Sequence, residues 1–308
     1  MRQVLYDITH TTAYDYAGGV SVSHHILRLT PRQTARQSPF TAEVLVDPPP
    51  AVVTSHSDYF GNITHFIAVE RSHQRLAVTS RSRVGVRPAF IPEEEETPTW
   101  ENVRAQCRED RSGQALEAHE FIYASPRVPV SDVLAEYAAP SFLRDRPILG
   151  AVVDLTRRIH ADFKFDASAT TVTTPVEDVF EQRRGVCQDF AQLEIACLRS
   201  LGLPARYVSG YLESDPPPGE SKLFGADASH AWVAFYCPGI GWIDVDPTNN
   251  CIPSLRHITI GWGRDYGDVA PVRGVILGGS GQQLRIAVDV IAVDAGPEPQ
   301  SGNGSQRE

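Results

Sequence analysis

The first ninety or so residues alternate apolar and polar positions. Val4, Tyr6 and Ile8 are separated by polar neighbours, as are Tyr14 and Tyr16, then Val20 and Val22. A period of two sends successive side chains to opposite faces and predicts strands. Gly18-Gly19, between two such runs, predicts a hairpin turn. Ala42–Val46, Ala51–Ser55, Ile63–Val69 and Leu76–Val86 are further strand candidates, broken by Asp47-Pro48-Pro49-Pro50 and Phe60-Gly61-Asn62. Short strands at close spacing predict an antiparallel sandwich or barrel-like module. His24-His25 falls within it; adjacent strand positions face opposite ways, so the pair reads as two strand residues, not a shared metal site.

The period then changes. The acidic run Glu93-Glu94-Glu95-Glu96, closed by Thr97-Pro98, predicts a solvated loop and a domain boundary. From about residue 100 to 200, apolar groups recur at three and four. Ser131 caps a helix beginning at Asp132, and Ile148, Val152, Leu155 and Ile159 mark one between Pro147 and Phe163. Thr174 and Pro175 predict a short helix, with the proline at its first position. Phe190, Leu193, Cys197 and Leu201 mark another, stopped by Gly202-Leu203-Pro204. Strands are predicted again at Ala205–Tyr211, Ser229–Tyr236 and Trp242–Val245, with a turn at Pro238–Gly241, and finally at Gly274–Leu277 and Leu284–Ala292. Asp215-Pro216-Pro217-Pro218-Gly219 reads as a loop, and residues 296–308 read as a disordered tail. The units expected are an all-β module over 1–92, a helical connection over 93–144, a core with the C-terminal strands over 145–295, and the tail.

Composition narrows the class. A chain of 308 residues with 42% hydrophobic and 21% charged residues is globular and can bury a core without covalent staples. A net charge of −10 argues against nucleic acid or an anionic membrane as partner. The five cysteines form no CxxC pair and no regular spacing, so neither a disulfide framework nor a zinc knuckle is expected. The N-terminus lacks the apolar stretch of a signal peptide and no window resembles a membrane span, so a cytoplasmic protein is expected.

One cysteine stands apart. Gly185-Val186-Cys187-Gln188-Asp189-Phe190 puts Cys187 at a helix start, where unpaired N–H groups and the positive dipole end favour a thiolate. His230 begins a strand, and Asp246 ends the next; a hairpin turning at Pro238–Gly241 brings them together, so the acid can orient the imidazole. Singly, each residue is better read as structural: a buried thiol, a strand histidine, an aspartate before proline. Cys107, Cys197, Cys237 and Cys251 are assigned to packing. Asp244 competes with Asp246, because alternation puts both on one strand face. Asp189 reads as a first-turn acid held by Arg206 or a backbone group, with the Cys187 N–H in the oxyanion hole and Gln182 or Gln188 as weak candidates for a second donor. A metal site of Cys187, His230 and Asp246 is disfavoured because no fourth ligand has suitable spacing.

The segments Gly185–Phe190, Leu201–Tyr211, His230-Ala231-Trp232-Val233 and Gly241–Asn249 together resemble the bacterial transglutaminase-like cysteine peptidase superfamily. The core resemblance spans about residues 145–250. Ile8–Tyr16 and Leu27–Arg32 resemble the β-rich N-terminal domain attached to such proteins, and Ile258–Pro271 resembles the tail that follows their core. The resemblance implies an α+β, papain-like core, with the cysteine-bearing helix packed on an antiparallel sheet and an all-β domain in front. It implies Cys187 as nucleophile, His230 as base and acid, and Asp246, which directly precedes Pro247, as the orienting acid. Acyl transfer through a thioester on a protein or peptide amide follows, with no metal or cofactor. Hydrolysis is the expected outcome. Transfer to an amine and a non-catalytic scaffold are the alternatives, and the role of the N-terminal module is open.

Overall fold

The computed structural model describes residues 3–110, 112–214 and 227–293, leaving the predicted 215–219 loop and 296–308 tail outside the described residues. Five strands open the chain: β1 (Val4–Leu27), β2 (Gln37–Asp47), β3 (Val52–Ser57), β4 (Ile63–Val69) and β5 (His73–Val86). Gly18-Gly19 is not a hairpin turn. β1 runs through it as one strand of 24 residues, and only the register slips, between Asp15 and Val20 against β5. Strands on both sides override the local turn signal. The N-terminal half of β1 pairs with β5, its C-terminal half with β4. His24 is exposed and His25 buried, as alternation requires.

The acidic run forms a single exposed 3-10 turn at Glu94–Glu96. The helices are α1 (Trp100–Glu109), α2 (Gly113–His119), α3 (Asp132–Ala138), α4 (Ile148–Asp162), α5 (Val176–Gln182) and α6 (Cys187–Ser200). None is long and apolar enough to cross a membrane. The Ser131 hydroxyl accepts from the Leu134 N–H as a cap, while Pro175 sits one position earlier than expected, at the N-cap itself. A short parallel pair, β6 (Lys164–Phe165) and β7 (Arg184–Gly185), leads into α6. β8 (Ala205–Leu212), β9 (Ala228–Cys237), β10 (Gly241–Val245) and β11 (His257–Gly263) form an antiparallel sheet in the order β10-β9-β8-β11.

α6 is buried along nearly its whole length between this sheet and the other helices. Leu193, Ala196 and Cys197 pack with Leu155 and Ile159 on one side and Val233, Phe235 and Val245 on the other. Each of the buried Leu, Ile, Val and Phe side chains contributes about 1.5–3 kcal/mol by leaving water. Two of its buried polar side chains find partners: the Thr156 hydroxyl donates to one Glu194 oxygen, and Arg199 donates to the carbonyls of Ala205, Tyr123 and Arg264.

After a short turn α7 (Tyr266–Val269), the last strands β12 (Val272–Gly278) and β13 (Gln282–Val293) return to the front of the chain. Expected in the unit with the core, they pair with β1 over Val20–Leu27 and Leu5–Tyr16. The two sheets also share a core. Tyr6, Ile8, Val84, Val288 and Val290 pack on Tyr211, Ile258 and Ile260. The Gln37 side-chain amide pairs with Thr259 in both directions, donating to its carbonyl and accepting from its N–H at 2.7 Å each. The Asp227 N–H donates to the Val288 carbonyl.

Gly210 stands opposite His230 in the ladder, and a Cβ there would lie 2.1 Å from the Ile258 carbonyl oxygen and 2.5 Å from the Trp232 ring. Backbone on one side and a fully buried indole on the other leave nothing to yield. Gly210→Ala is expected to lose about 1–3 kcal/mol of stability in urea unfolding.

Candidate active site

Cys187 is the first residue of α6, after Val186 in extended conformation. Asp189, two positions on, folds back so that its Oδ2 accepts from the Val186 N–H at 2.8 Å and the Thr170 hydroxyl at 2.6 Å. This fold-back needs a glycine at 185, where a Cβ would lie 2.7 Å from that oxygen. The backbone half of the expectation for Asp189 therefore holds. Arg206 is elsewhere: its guanidinium is stacked between Trp242 and Trp262. Burial raises the Asp189 carboxyl, and the two hydrogen bonds act against it.

The β9–β10 hairpin sets His230 and Asp246 side by side. The His230 Nε2 lies 2.7 Å from Asp246 Oδ2, and Cys187 is near enough to act on the same ring. Asp246 is completely buried. Its Oδ2 also receives His257 Nε2 at 3.0 Å and Asn249 Nδ2 at 2.7 Å, and its Oδ1 accepts from the N–H groups of Thr248 and Asn249. Burial works to raise the Asp246 carboxyl; the hydrogen bonds from His230 and His257 outweigh it and hold the group well below the usual carboxylate range. For His230, burial pulls downward, but the hydrogen bonds to Asp246 and Cys187 prevail and push it up to about 10. At neutral pH the geometry sets an imidazolium beside the cysteine sulfur, the pairing a thiolate nucleophile uses.

Neighbouring groups are sorted by the same criteria. Asp244 pairs with Arg36 at 3.5 Å, away from His230. Cys107, Cys237 and Cys251 are pushed up to about 11 by burial, and Cys197 higher still, so these thiols stay protonated. Gln182 is exposed at the end of α5, and the Gln188 amide is directed to the Val172 carbonyl at 3.4 Å. His257 was not read from the sequence. It opens β11, whose Ile258, Ile260 and Trp262 carry a period-two signal that the strand assignments passed over. His230, Asp246 and His257 also bring three ligating atoms within 4.8 Å of one another; His257, not Cys187, is the third member.

A cavity of about 250 Å³ opens over Cys187 and His230. One wall belongs to the catalytic sheet and α6, through Gln188, Tyr207 and Ser209. The facing wall is His10, Thr12 and Tyr14 of β1 with Leu284 and Ile286 of β13. The front module and the returning C-terminal strands thus form half of the cleft.

Comparison with known proteins agrees with this division. Residues 6–85 match the bacterial transglutaminase-like N-terminal region, and residues 137–247 match the transglutaminase-like superfamily. An uncharacterised protein of Mycobacterium tuberculosis is 40% identical over 291 residues, covering 93% of this chain and 92% of its own length. A protein-glutamine gamma-glutamyltransferase of Pseudomonas aeruginosa is 32% identical over 130 residues, 36% of this chain and 20% of that protein. Among solved structures, a Cytophaga hutchinsonii protein described as a candidate cysteine protease superposes with a TM-score of 0.77 at 22% identity, covering 97% of this chain and 94% of that one.

The charge on His230 depends on Asp246. Asp246→Asn removes the larger of the two raising partners and leaves the burial and Cys187, so the His230 titration is expected to fall clearly from about 10, followed by NMR of the imidazole protons. In the wild type a raised imidazole stabilises the fold fully below pH 6.5, and that contribution is lost as pH rises toward 10. An unchanged titration in the variant would refute the coupling.

Proposed function

The chain belongs to the bacterial transglutaminase-like family, and from that premise we propose that it is a thiol acyl-transfer enzyme acting on amides of proteins or peptides, with water as the final acceptor. The observation that carries this reading is His230 held 2.7 Å from the buried Asp246 carboxylate and lining, together with Cys187, the floor of an open cleft.

In this reading Cys187 is the nucleophile. Its sulfur attacks the amide carbonyl carbon, and the electron pair moves to the carbonyl oxygen. The Cys187 N–H, at the first turn of α6, faces the developing oxyanion with the positive end of the helix dipole behind it. Tyr207 lines the same cavity, and burial keeps its hydroxyl protonated, which offers a second donor. His230 gives its proton to the departing amine as the C–N bond breaks, leaving a thioester. The neutral imidazole then takes a proton from water as that water attacks the thioester, and Cys187 leaves as thiolate. Asp246 stays ionised throughout and holds the ring.

Water is favoured as acceptor because, among the described residues, no carboxylate lines the cleft to receive a lysine ammonium. The name of the Pseudomonas aeruginosa relative supports the second reading, transfer of a glutamine acyl group to an amine.

One assay separates these. Wild type and Cys187→Ala are incubated with peptides containing glutamine and lysine and followed by mass spectrometry and ammonia release. New termini, or a gain of about 1 Da at glutamine with ammonia, are expected for hydrolysis; a joined glutamine–lysine pair would give the transferase. Activity unchanged in Cys187→Ala would overturn the proposal. Tyr207→Phe is expected to lower kcat by about 10²-fold with KM little changed.

A further inference from the structure

On the face of the catalytic sheet opposite α6 lies a second cavity, about 390 Å³, lined by Arg206, Trp242, Asp244 and Trp262 from the sheet and by Arg36, Phe90 and Ile91 from the segments that join it to the front module. Its lining includes neither Cys187 nor His230.

Arg206 is the unusual group here. Only 6% of it is exposed. The Trp242 and Trp262 rings cover its guanidinium at 4.2 and 3.9 Å. Arg32 lies 3.5 Å from the same Trp262 ring, which two guanidinium groups can share only by taking opposite faces. Stacking gives Arg206 a cation–π environment but satisfies none of its N–H groups. Among the described residues it makes no hydrogen bond and no ion pair, and its Nε is buried without a partner. Arg199, equally buried, donates to four acceptors, the carbonyls of Tyr123, Ala205 and Arg264 and the Ser125 hydroxyl. Burial also pulls Arg206 down to about 9, with Asp244 opposing and Arg32 assisting. A buried, unpaired cation is costly to keep, and an anionic partner removes that cost.

We propose that this cavity is a binding site for a carboxylate carried on an apolar group, received by Arg206. The geometry selects the chemistry. With both faces under indoles, the guanidinium can be approached only in its own plane, where a flat carboxylate accepts two parallel N–H groups. Arg36 adds positive charge but is already engaged with Asp244 and with the carbonyls of Ser254 and His257. Asp244 in the lining disfavours a dianion such as phosphate. Phe90, Ile91, Ile240 and Ile252 supply the apolar surroundings.

The test is calorimetric titration of the full chain with two pairs of probes. Phenylacetate with phenylacetamide represents a free small acid; a pentapeptide ending in phenylalanine, with its C-terminal amide, represents a chain terminus. At least one acid is expected to bind more than about tenfold tighter than its amide, and the tighter pair identifies the source. Arg206→Met is expected to abolish the preference. Because that variant can fail to fold, Asp244→Asn provides a second reading: removing the negative charge is expected to tighten the acid severalfold and leave the amide unchanged. Equal binding of acids and amides, no binding of either, or no change in Asp244→Asn overturns the site. So does loss of binding when Cys187 is alkylated with iodoacetamide, since the ligand would then occupy the catalytic cleft.

Discussion

Asp246 is a carboxylate with no access to water, and the site depends on the way its charge is met. A buried anion is tolerated only where donors converge on it. Here two imidazoles, one side-chain amide and two backbone N–H groups do so. The backbone donors come from the turn directly after Asp246, and His257 arrives from β11, at the far edge of the sheet from β10. The carboxylate therefore ties the loop after β10 to β11 and orients His230 in the same act. The same five hydrogen bonds that stabilise the buried charge also set the position of the His230 ring.

That dependence extends to the front module. β11 is held from outside by Gln37, whose amide completes the pairing of Thr259, and by the shared core of Tyr6, Val288 and Val290 with Ile258 and Ile260. β1 and β13, which supply that core, also supply the second wall of the cleft through His10, Thr12 and Leu284. The last strands return to pair with β1, which joins the C-terminal strands to the front module.

Much of this was legible in the residues because the signals were local. Gly185–Phe190 carries its own turn, cap and amphipathic face, and the β9–β10 turn fixes which strand positions meet. His257 was not legible: its partner is eleven residues away across an edge strand whose register breaks between Thr259 and Gly261, and no local pattern joins them. Gly18-Gly19 misled for the opposite reason. A pair of glycines reads as a turn in isolation, but β1 has partners on both sides, and their ladders carry the strand through. Of the two partners expected for Asp189, Arg206 or a backbone group, the backbone N–H of Val186 is the one found; the position of Arg206 in β8 directs it between two indoles that the sequence places 36 and 56 residues further on.

Glu194 of α6 and Asp246 after β10 are two buried acids in opposite states. It lies in α6, fully buried, with one hydroxyl donor from Thr156 and one oxygen unpaired. Burial, reinforced by the charge of Asp246, pushes it up to about 8 against that single hydrogen bond. At neutral pH it is a neutral acid, and Asp246 is an anion. The difference follows from donor supply, not depth: five donors hold one carboxylate ionised, and a single hydroxyl cannot do so for the other. The repulsion runs between the same two groups, since the charge of Asp246 helps to raise Glu194. Depth alone decides neither state; the donors that reach each carboxyl do.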